Sequence, residues 1–359
     1  MKKYLITLLI SFATLVLSST FANAEVTGKC VTDTNGSIVI SAAGKLGTQK
    51  YSSGVNDKGP FNYENSYEDS EFDSNFTDAC QTQPLFYKIK FYKVAMCLAD
   101  PYTGNADPDY SSCAEIFSNS SGKEVIIEPD EEVDLLDGNL LLPVGNYKYL
   151  TVILSNHLHI KTKQKYVYVD GSRAVMYGSG DTGGANSNTD LCYTKAAVTT
   201  YTGSTHDASY NSAHGVTVQS SDPTGDGSRM ECTSGDPSTD YDYATEIIDS
   251  LGGDGSTLVA NLAYSSMLAD TGVDVELAAT MLKTDNVSVA DDEDNALRIN
   301  AHFKYTNPIV ISENTVGFKL NFATTRGVSL DAGQDGSNNI FMVKVGADPF
   351  TIEVQTKTR

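Results

Sequence analysis

Residues 147–160 read YKYLTVILSNHLHI, and this stretch decides the class of fold. Apolar and polar side chains alternate along it with a period of two, as in a β-strand that buries one face. The apolar face carries Leu150, Val152, Leu154, Leu158 and Ile160, and the other carries Tyr147, Tyr149, Thr151, His157 and His159. The pattern predicts a long strand against a hydrophobic core.

Working outward, several other segments have strand character. They are 84–97 (PLFYKIKFYKVAMC), 297–305, 316–322, 340–345 and 350–354. Only 244–251 and 274–283 have helical patterns, and polar runs rich in Gly, Ser, Asn and Asp separate the strands. We therefore predict an all-β protein of Greek-key β-sandwich type, with long polar loops and at most two short helices.

One segment also suggests a family. Residues 133–156 read VDLLDGNLLLPVGNYKYLTVILSN, with a Leu-Pro-x-Gly-x-Tyr turn at 142–147. This stretch resembles the transthyretin-like, or prealbumin-like, β-sandwich domains of secreted bacterial proteins, in which such a turn introduces a central strand. The resemblance covers a short part of the chain. It implies a Greek-key sandwich and no particular chemistry.

The first 24 residues have the pattern of an export signal. Lys2 and Lys3 precede an apolar run that is too short to span a bilayer, and Ala22-Asn23-Ala24 forms a small-residue cleavage site. Lys29 before Cys30 does not fit a lipoprotein signal, which has a small residue at that position. We predict a periplasmic, extracellular or cell-surface protein with no membrane span in its mature chain.

Charge narrows the choice of partners. The chain has a net charge of −21, and the export signal contains two lysines and no acidic residue, so cleavage makes it more negative by two. Such a chain repels the phosphates of nucleic acid and anionic membrane surfaces. We therefore predict no nucleic-acid partner.

The six cysteines, which all follow the predicted cleavage site, are expected to form disulfides in an oxidising compartment. Six cysteines allow 15 pairings, and the sequence alone does not choose among them. Nearest-neighbour pairing would join Cys30 to Cys80, Cys97 to Cys113 and Cys192 to Cys232. The middle pair is favoured because it closes a polar loop after a strong strand. A zinc site is disfavoured because the sequence contains no Cys-x-x-Cys pair.

Composition also suggests how the chain is divided. We predict a β-sandwich domain over residues 25–170 and a loop-rich, disulfide-stapled insertion or linker over 171–250. A second β domain over 251–359 would follow, or this part would complete the same sandwich. The middle segment is set apart by runs such as GSGDTGGANSNTD and SSDPTGDGSR.

Two Asp-Thr-Gly triplets raise the possibility of an enzyme. They begin at Asp181 and Asp270 and resemble the paired turns of aspartic peptidases, in which two carboxylates share a proton. The first triplet lacks the apolar strand that would hold such a turn rigid. Because the chain is rich in Asp, Thr and Gly, ordinary turns also explain both triplets. A secreted hydrolase of the aspartic-peptidase type is therefore the alternative interpretation.

Histidines suggest a transition-metal site. His157 and His159 share one face of the predicted strand, and His302 lies on the polar face of another strand. Imidazoles at this spacing can bind zinc or copper, which would make the chain a periplasmic metal-binding protein. The alternative is a solvated strand face that carries incidental histidines.

Acidic loops raise calcium as a candidate cofactor, with no cofactor certain from the sequence. Calcium prefers several oxygen ligands in flexible turns, although none of these loops fits the twelve-residue calcium loop. The candidate ligands are Asp222, Asp226, Asp291, Asp292, Asp294, Asp331 and Asp335. Solvated charged loops are the alternative interpretation.

Taken together, the export signal, the cysteines and the polar loops favour a non-enzymatic exported protein. We predict a role in binding or in cell-surface and envelope structure. The expected partners are a glycan, an envelope component or further copies of the chain.

Overall fold

The computed structural model describes most of the chain beyond the predicted export signal. The described residues are 29–41, 44–49, 76–77, 79–104, 106–129, 142–176, 189–202, 206–219, 230–235, 241–252, 258–267, 275–324, 326–335, 340–348 and 350–359. The predicted signal at 1–24 and the Asp-Thr-Gly residues Asp181 and Asp270 lie outside them. The same is true of the calcium candidates Asp222 and Asp226.

The described residues are mostly β-structure, with 57% strand and 4% helix, which confirms an all-β fold. One α-helix, α1 (Ala208–His214), and one 3-10 turn (Glu293–Asn295) accompany the strands. In chain order the strands are β1 (Lys29–Cys30), β2 (Ile38–Ile40), β3 (Leu46–Gln49), β4 (Phe76–Thr77), β5 (Ala79–Thr82), β6 (Phe86–Cys97), β7 (Cys113–Ile127), β8 (Gly145–Ser155), β9 (His157–Lys161), β10 (Lys163–Tyr168), β11 (Leu191–Tyr193), β12 (Ala197–Thr200), β13 (Glu231–Thr233), β14 (Ala244–Ile247), β15 (Asn261–Met267), β16 (Val275–Leu282), β17 (Arg298–Ile311), β18 (Thr315–Ala323), β19 (Val328–Asp335), β20 (Ile340–Ala347) and β21 (Thr351–Thr358).

The strands form two large mixed sheets and a two-stranded ribbon. Sheet I contains β6, β7, β8, β9, β12, β14, β15, β16 and β17. Sheet II contains β1, β2, β3, β4, β5, β10, β11, β13, β19 and β20, and β18 pairs with β21. One hydrophobic core cluster takes buried side chains from both sheets, for example Val152 of sheet I and Leu330 of sheet II.

The stretch at 147–160 forms β8 and β9, which lie in the interior of sheet I. β8 pairs with β6 on one side and with β17 on the other. Its predicted apolar face is buried in the core, with Leu150 and Val152 fully buried. The Tyr147 hydroxyl donates to the carbonyl oxygen of Pro143 at 2.9 Å, which fastens the turn that precedes the strand.

The two predicted helices are wrong. Residues 244–251 begin with strand β14, and 274–283 contain strand β16. β16 reads VELAATML, whose Ala, Leu, Glu and Met favour helix locally, yet it pairs with β15 and β17 on either side. Pairing and burial therefore override local propensity. The observed helix α1 lies instead within the segment predicted to be loop-rich.

The nearest-neighbour disulfide pairing is confirmed. Cys97 and Cys113 face each other across β6 and β7, and Cys192 and Cys232 do so across β11 and β13. The third disulfide joins Cys30 of β1 to Cys80 of β5. Each disulfide therefore links two neighbouring strands.

Several strand pairs connect the N-terminal and C-terminal parts of the chain. β8 pairs with β17, β5 with β19, and β9 with β14. Sheets I and II thus each contain strands from both sides of residue 171, and the predicted domain boundaries stay a prediction. Among the described residues, no helix is long and apolar enough to cross a membrane.

Candidate functional site

A stack of aromatic rings is organised by helix α1. Asp207 begins the helix, since its side chain accepts hydrogen bonds from the backbone N–H groups of Ser209 and Tyr210. Tyr210 and His214 are four residues apart and therefore lie on one face of α1, and His206 directly precedes the capping residue. The ring centroids of His206 and Tyr210 are 3.6 Å apart, and those of Tyr210 and His214 are 4.0 Å apart.

The stack continues onto sheet I. The His157 ring of β9 is stacked on His214 at 5.4 Å, and His157 Nε2 lies 3.2 Å from His214 Nδ1. We call His206, Tyr210, His214 and His157 the aromatic column. It holds α1 against the outer face of sheet I, which is the face turned away from sheet II.

One end of the column rests on a buried carboxylate. His206 Nε2 lies 3.1 Å from Oδ2 of Asp249, which has no exposed surface. Thr202 donates to the same carboxylate through its backbone N–H at 3.1 Å and its hydroxyl at 2.5 Å. A buried carboxylate needs such donors, because an unpaired charge in the interior is strongly destabilising. These bonds fix the orientation of the His206 ring.

At the other end of the column, hydrogen bonds determine which ring nitrogens of His214 and His157 carry a proton. His214 Nε2 lies 3.2 Å from the carbonyl oxygen of Glu293, so this nitrogen carries the proton and donates it. His214 Nδ1 is then an acceptor for the Nε2–H of His157. Burial, reinforced by His214, lowers the pKa of His157 to about 4, and burial also lowers the pKa of His214. Both rings are therefore neutral at pH 7.

An acidic cleft of about 590 Å³ opens between α1 and the 3-10 turn. Ten residues line it: His206, Asp207, Tyr210, Leu258, Ala260, Ala290, Asp291, Asp292, Glu293 and Asp294. Five of the ten carry carboxyl groups. We call this space the acidic cleft.

The carboxylates of the acidic cleft are held in place by their neighbours. The Ser209 hydroxyl donates to Asp294 at 2.7 Å, and Lys283 lies 3.0 Å from Asp291. Glu293 Oε2 lies 3.9 Å from His206 Nδ1, and burial together with Asp249 raises the Glu293 pKa. Negative charge in the cleft therefore exceeds the positive charge of its direct partners.

The hydroxyl of Tyr210 is the most unusual group at the cleft. Tyr210 is only 2% exposed, and its hydroxyl has no hydrogen-bond partner among the described residues. Burial and the charges of Asp249 and Glu293 raise its pKa, so the hydroxyl keeps its proton at neutral pH. Buried hydroxyls are normally hydrogen-bonded, so the lack of a described partner sets this buried hydroxyl apart from the other polar groups of the residues that line the cleft.

The structure brings only some of the predicted calcium ligands together. Asp291, Asp292 and Asp294 line the acidic cleft. Asp331 and Asp335 belong instead to strand β19, which pairs with β20, so the residues between them do not form the predicted loop. Within the described ranges, no group of three or more His, Cys, Asp or Glu residues has the arrangement of a metal site. Calcium binding remains a prediction.

The three predicted metal-binding histidines do not meet. His302 is fully buried and lies beside Thr151 of β8, whereas β8 continues for four more residues before β9 begins with His157. At about 3.3 Å per residue, His302 and His157 are well beyond the reach of one metal ion. His159 bonds instead to the Thr245 hydroxyl at 2.7 Å.

The predicted polar face around His302 is also wrong, because a loop covers it. Tyr102 packs edge-on against the His302 ring at 5.5 Å, and Asn300 donates to the Tyr110 hydroxyl at 2.6 Å. Both tyrosines belong to the loop that Cys97–Cys113 closes. Burial lowers the pKa of His302 to about 3.

Sequence reasoning missed the central residues of this site. The four-residue spacing of His206, Tyr210 and His214, with the capping residue Asp207 directly after His206, would have indicated a short helix with an aromatic face. No local pattern indicated that Asp249 would meet His206. Comparisons of the chain with models of known protein families, with curated proteins and with solved structures find no match.

Proposed function

We propose that this protein is exported and acts outside the cytoplasm as a non-enzymatic binding protein of the cell envelope. In this proposal the acidic cleft is its ligand site. The three disulfides fit an oxidising environment, and the pattern of residues 1–24 supports export. The ligand we propose is an envelope glycan that carries amino sugars.

The proposal rests on one observation: the same cleft is lined by carboxylates and by Tyr210, whose hydroxyl has no described hydrogen-bond partner. Carboxylates attract ammonium groups and accept hydrogen bonds from sugar hydroxyls. The Tyr210 hydroxyl can donate to a sugar oxygen or accept from an ammonium group. An amino sugar supplies all of these groups. The cleft volume is within the usual range for small-ligand sites, about 300–1,000 Å³.

Calorimetry with glucosamine oligomers tests this proposal, with N-acetylglucosamine oligomers of equal length as neutral counterparts. We expect the charged oligomers to bind more tightly and to lose affinity as salt is added, because salt screens exposed charges. Asp294→Asn should weaken binding, whereas Glu313→Gln on an exposed turn away from the cleft should not. Equal affinity for charged and neutral oligomers, or an effect of both variants, would contradict the proposal.

Calcium is a second candidate ligand, because three of the carboxylates that the sequence offers for this ion, Asp291, Asp292 and Asp294, line the same cleft, although they do not have the arrangement of a metal site. Oxygen ligands on a short, polar segment suit this ion. Calorimetry with calcium chloride, compared between the unaltered protein and Asp292→Asn, tests it. Binding of calcium that Asp292→Asn leaves unchanged would place the ion elsewhere.

A further inference from the structure

An aliphatic surface lies beside the carboxylates of the acidic cleft. It consists of Leu258, Ala260 and Ala290, the three aliphatic residues among those that line the cleft, and we call it the apolar floor. The backbone of Met281 in β16 holds two of them side by side. Its N–H donates to the carbonyl oxygen of Ala260 at 2.7 Å, and its carbonyl oxygen accepts from the N–H of Ala290 at 2.9 Å. Both alanines are therefore fixed to strand β16.

Leu258 is held by the segment that precedes it in the fold. Val259, between Leu258 and Ala260, donates its N–H to the Ser250 hydroxyl at 2.9 Å and accepts from the Leu251 N–H at 2.9 Å. Leu258 and Ala260 are partly buried and pack against the hydrophobic core that joins the two sheets. The apolar floor is therefore a surface that the fold forms without a ligand.

The aromatic ring of Tyr210 does not offer a comparable surface, although it lines the same cleft. The ring of His206 is stacked on it at 3.6 Å and that of His214 at 4.0 Å, measured between ring centroids. Two rings at these distances cannot share one face, so both faces of the Tyr210 ring are occupied. A ligand in the cleft therefore cannot stack on this ring, and the apolar floor is the surface left for its apolar part.

The apolar floor and the carboxylates are neighbours in the chain as well as in the cleft. Ala290 directly precedes the acidic run 291–294, whose four carboxyl groups all belong to lining residues. A ligand that enters the cleft therefore meets negative charge and aliphatic side chains within one small volume. Small-ligand sites commonly combine apolar walls with a few polar groups that fix the orientation of the ligand.

We propose that the acidic cleft selects cations that have an apolar face, and that Leu258 of the apolar floor determines this specificity. The inference rests on the proposed function, because it takes the ligand to carry ammonium groups. β-Linked glucosamine meets the requirement, since its substituents all project from the edge of the ring and each face consists of C–H groups. Such a ring, laid on the apolar floor, buries apolar surface while its ammonium group reaches the carboxylates.

Hexaamminecobalt(III) separates charge from apolar contact, because it has positive charge and N–H donors but no C–H surface. Calorimetry with this ion and with glucosamine oligomers, on the unaltered protein and on Leu258→Ser, tests the proposal. We expect Leu258→Ser to weaken oligomer binding about tenfold, since it removes apolar contact, and to leave binding of the ion unchanged. Asp294→Asn should weaken the binding of both ligands.

Leu262→Ser is the matched control. Leu262 is 39% exposed on β15 and is not among the residues that line the cleft, so this variant should bind both ligands as the unaltered protein does. Leu258→Met keeps an apolar side chain and should also retain oligomer binding. Equal weakening of oligomer binding in Leu258→Ser and Leu262→Ser would show general loosening and overturn the role of the apolar floor.

The heat capacity of binding gives a readout that needs no variant. Burial of apolar surface makes the heat-capacity change of binding negative. The oligomers should therefore show a negative change with the unaltered protein, and hexaamminecobalt(III) should not. This comparison and Leu258→Met decide the question even where Leu258→Ser fails to fold.

The outcomes distinguish this inference from the proposed function. Oligomer binding that lacks a negative heat-capacity change, or that Leu258→Ser leaves unchanged, overturns the role of the apolar floor and leaves the proposed function standing. The same holds where Leu258→Ser weakens both ligands equally, or where Leu258→Met loses oligomer binding. Failure of the oligomers to bind the unaltered protein contradicts both proposals.

Discussion

His206 Nε2 lies 3.1 Å from Oδ2 of Asp249, and the same carboxylate accepts two further hydrogen bonds from Thr202. The side chain of Asp249 has no exposed surface, and that of His206 is 5% exposed. The pair connects the segment that follows β14 to the start of α1. It therefore anchors the helix that forms one wall of the acidic cleft.

Replacement of Asp249 should destabilise the protein strongly. We expect Asp249→Ala to lower the free energy of unfolding by about 3–5 kcal/mol, since it removes a buried carboxyl group that bonds to Thr202 and His206 and leaves their polar atoms unpaired. Asp249→Asn should cost less, because an amide keeps an acceptor oxygen for Thr202 and supplies donors. Urea unfolding measures both. Glu313→Ala at an exposed position is the control, and an equal effect of the three variants would contradict the anchoring role.

Replacing Tyr210 by phenylalanine should affect ligand binding much more than the stability of the fold. Its hydroxyl has no described partner, so Tyr210→Phe should change the free energy of unfolding by less than about 1 kcal/mol. The same variant should weaken glucosamine-oligomer binding by about tenfold to a hundredfold, because a hydrogen bond to a charged group contributes about 1.5–3 kcal/mol. Thermal unfolding and calorimetry on the same samples provide the two readouts.

Tyr305→Phe is the matched control for that measurement. The Tyr305 hydroxyl donates to the carbonyl oxygen of Ile352 at 2.7 Å, and the bond is buried. Its loss should lower the free energy of unfolding by about 1–3 kcal/mol, since it leaves a buried acceptor unsatisfied. If Tyr210→Phe destabilises the protein as much as Tyr305→Phe, the Tyr210 hydroxyl has a structural partner and is not reserved for a ligand.

The Cys97–Cys113 disulfide should control access to His302. Replacing both cysteines by alanine opens a loop of 16 residues and should lower stability by about 3 kcal/mol in the loop-entropy account. The Tyr102 ring would no longer be held over His302. The pKa of His302, which burial lowers to about 3, should then rise toward its usual value near 6.5. Nuclear magnetic resonance titration of the ring measures this.

A second disulfide provides the comparison. Replacing Cys192 and Cys232 opens a longer loop of 40 residues, whose two ends lie in sheet II, and should cost about 4 kcal/mol on the same account. It should leave the His302 titration unchanged, because those cysteines do not close the loop over this ring. A similar shift of the His302 pKa in both double variants would indicate general loosening of the fold.

Period-two alternation was the most informative sequence signal. It predicted β8, β9 and β17 because each buries one face in a core shared by many residues. It failed to show that the opposite face of β17 is covered, since the loop containing Tyr102 and Tyr110 folds over it from a distant part of the chain. The alternation of polar and apolar residues in a strand does not reveal that a loop buries its polar face.

The candidate site was harder to predict for a related reason. Its members His157, His206, Asp249 and Glu293 are separated by many residues and meet only after sheet I has formed. The acidic run at 291–294 was visible as a group of oxygen ligands. Its partner residues on α1 were not, because α1 lies in a segment whose composition is that of loops. The site is therefore formed by contacts between residues that are distant in the sequence.

Glu246 is a further buried group, and it joins the two sheets. Its carboxylate, on β14 of sheet I, accepts a hydrogen bond from the backbone N–H of Ala347 at the end of β20 in sheet II. Gly346 lies against it, since a Cβ there would be 3.5 Å from both carboxylate oxygens. Burial raises the pKa of Glu246 to about 8 and that of Asp348 to about 6.

The buried histidines change the stability of the fold with pH in the direction opposite to the Glu246 carboxyl. Burial lowers the pKa of His157 and of His159 to about 4, so the folded state binds their protons less readily than the unfolded state does. Their stabilising effect is therefore complete above a pH of about 6.5 and is lost as pH falls toward 4. The stability of the unaltered protein should therefore be greatest near a pH of about 6.5, where it unfolds at the highest urea concentration. Below that pH the histidines lose their stabilising effect, and above it the Glu246 carboxyl continues to lose its own.

Glu246→Gln isolates the carboxyl from the histidines. A glutamic acid whose pKa is raised from 4.5 to about 8 in the folded state stabilises the fold fully below pH 4.5 and loses that effect as pH rises to about 8. Since the substituted amide would keep an acceptor for Ala347 but no titratable proton, the stability of the variant relative to the unaltered protein should increase between about pH 5 and pH 8. The limiting slope is about 1.4 kcal/mol per pH unit. Urea unfolding across this range measures it, with the exposed Glu313→Gln as control, and a constant difference between the two proteins would show that the raised pKa of Glu246 is not coupled to folding.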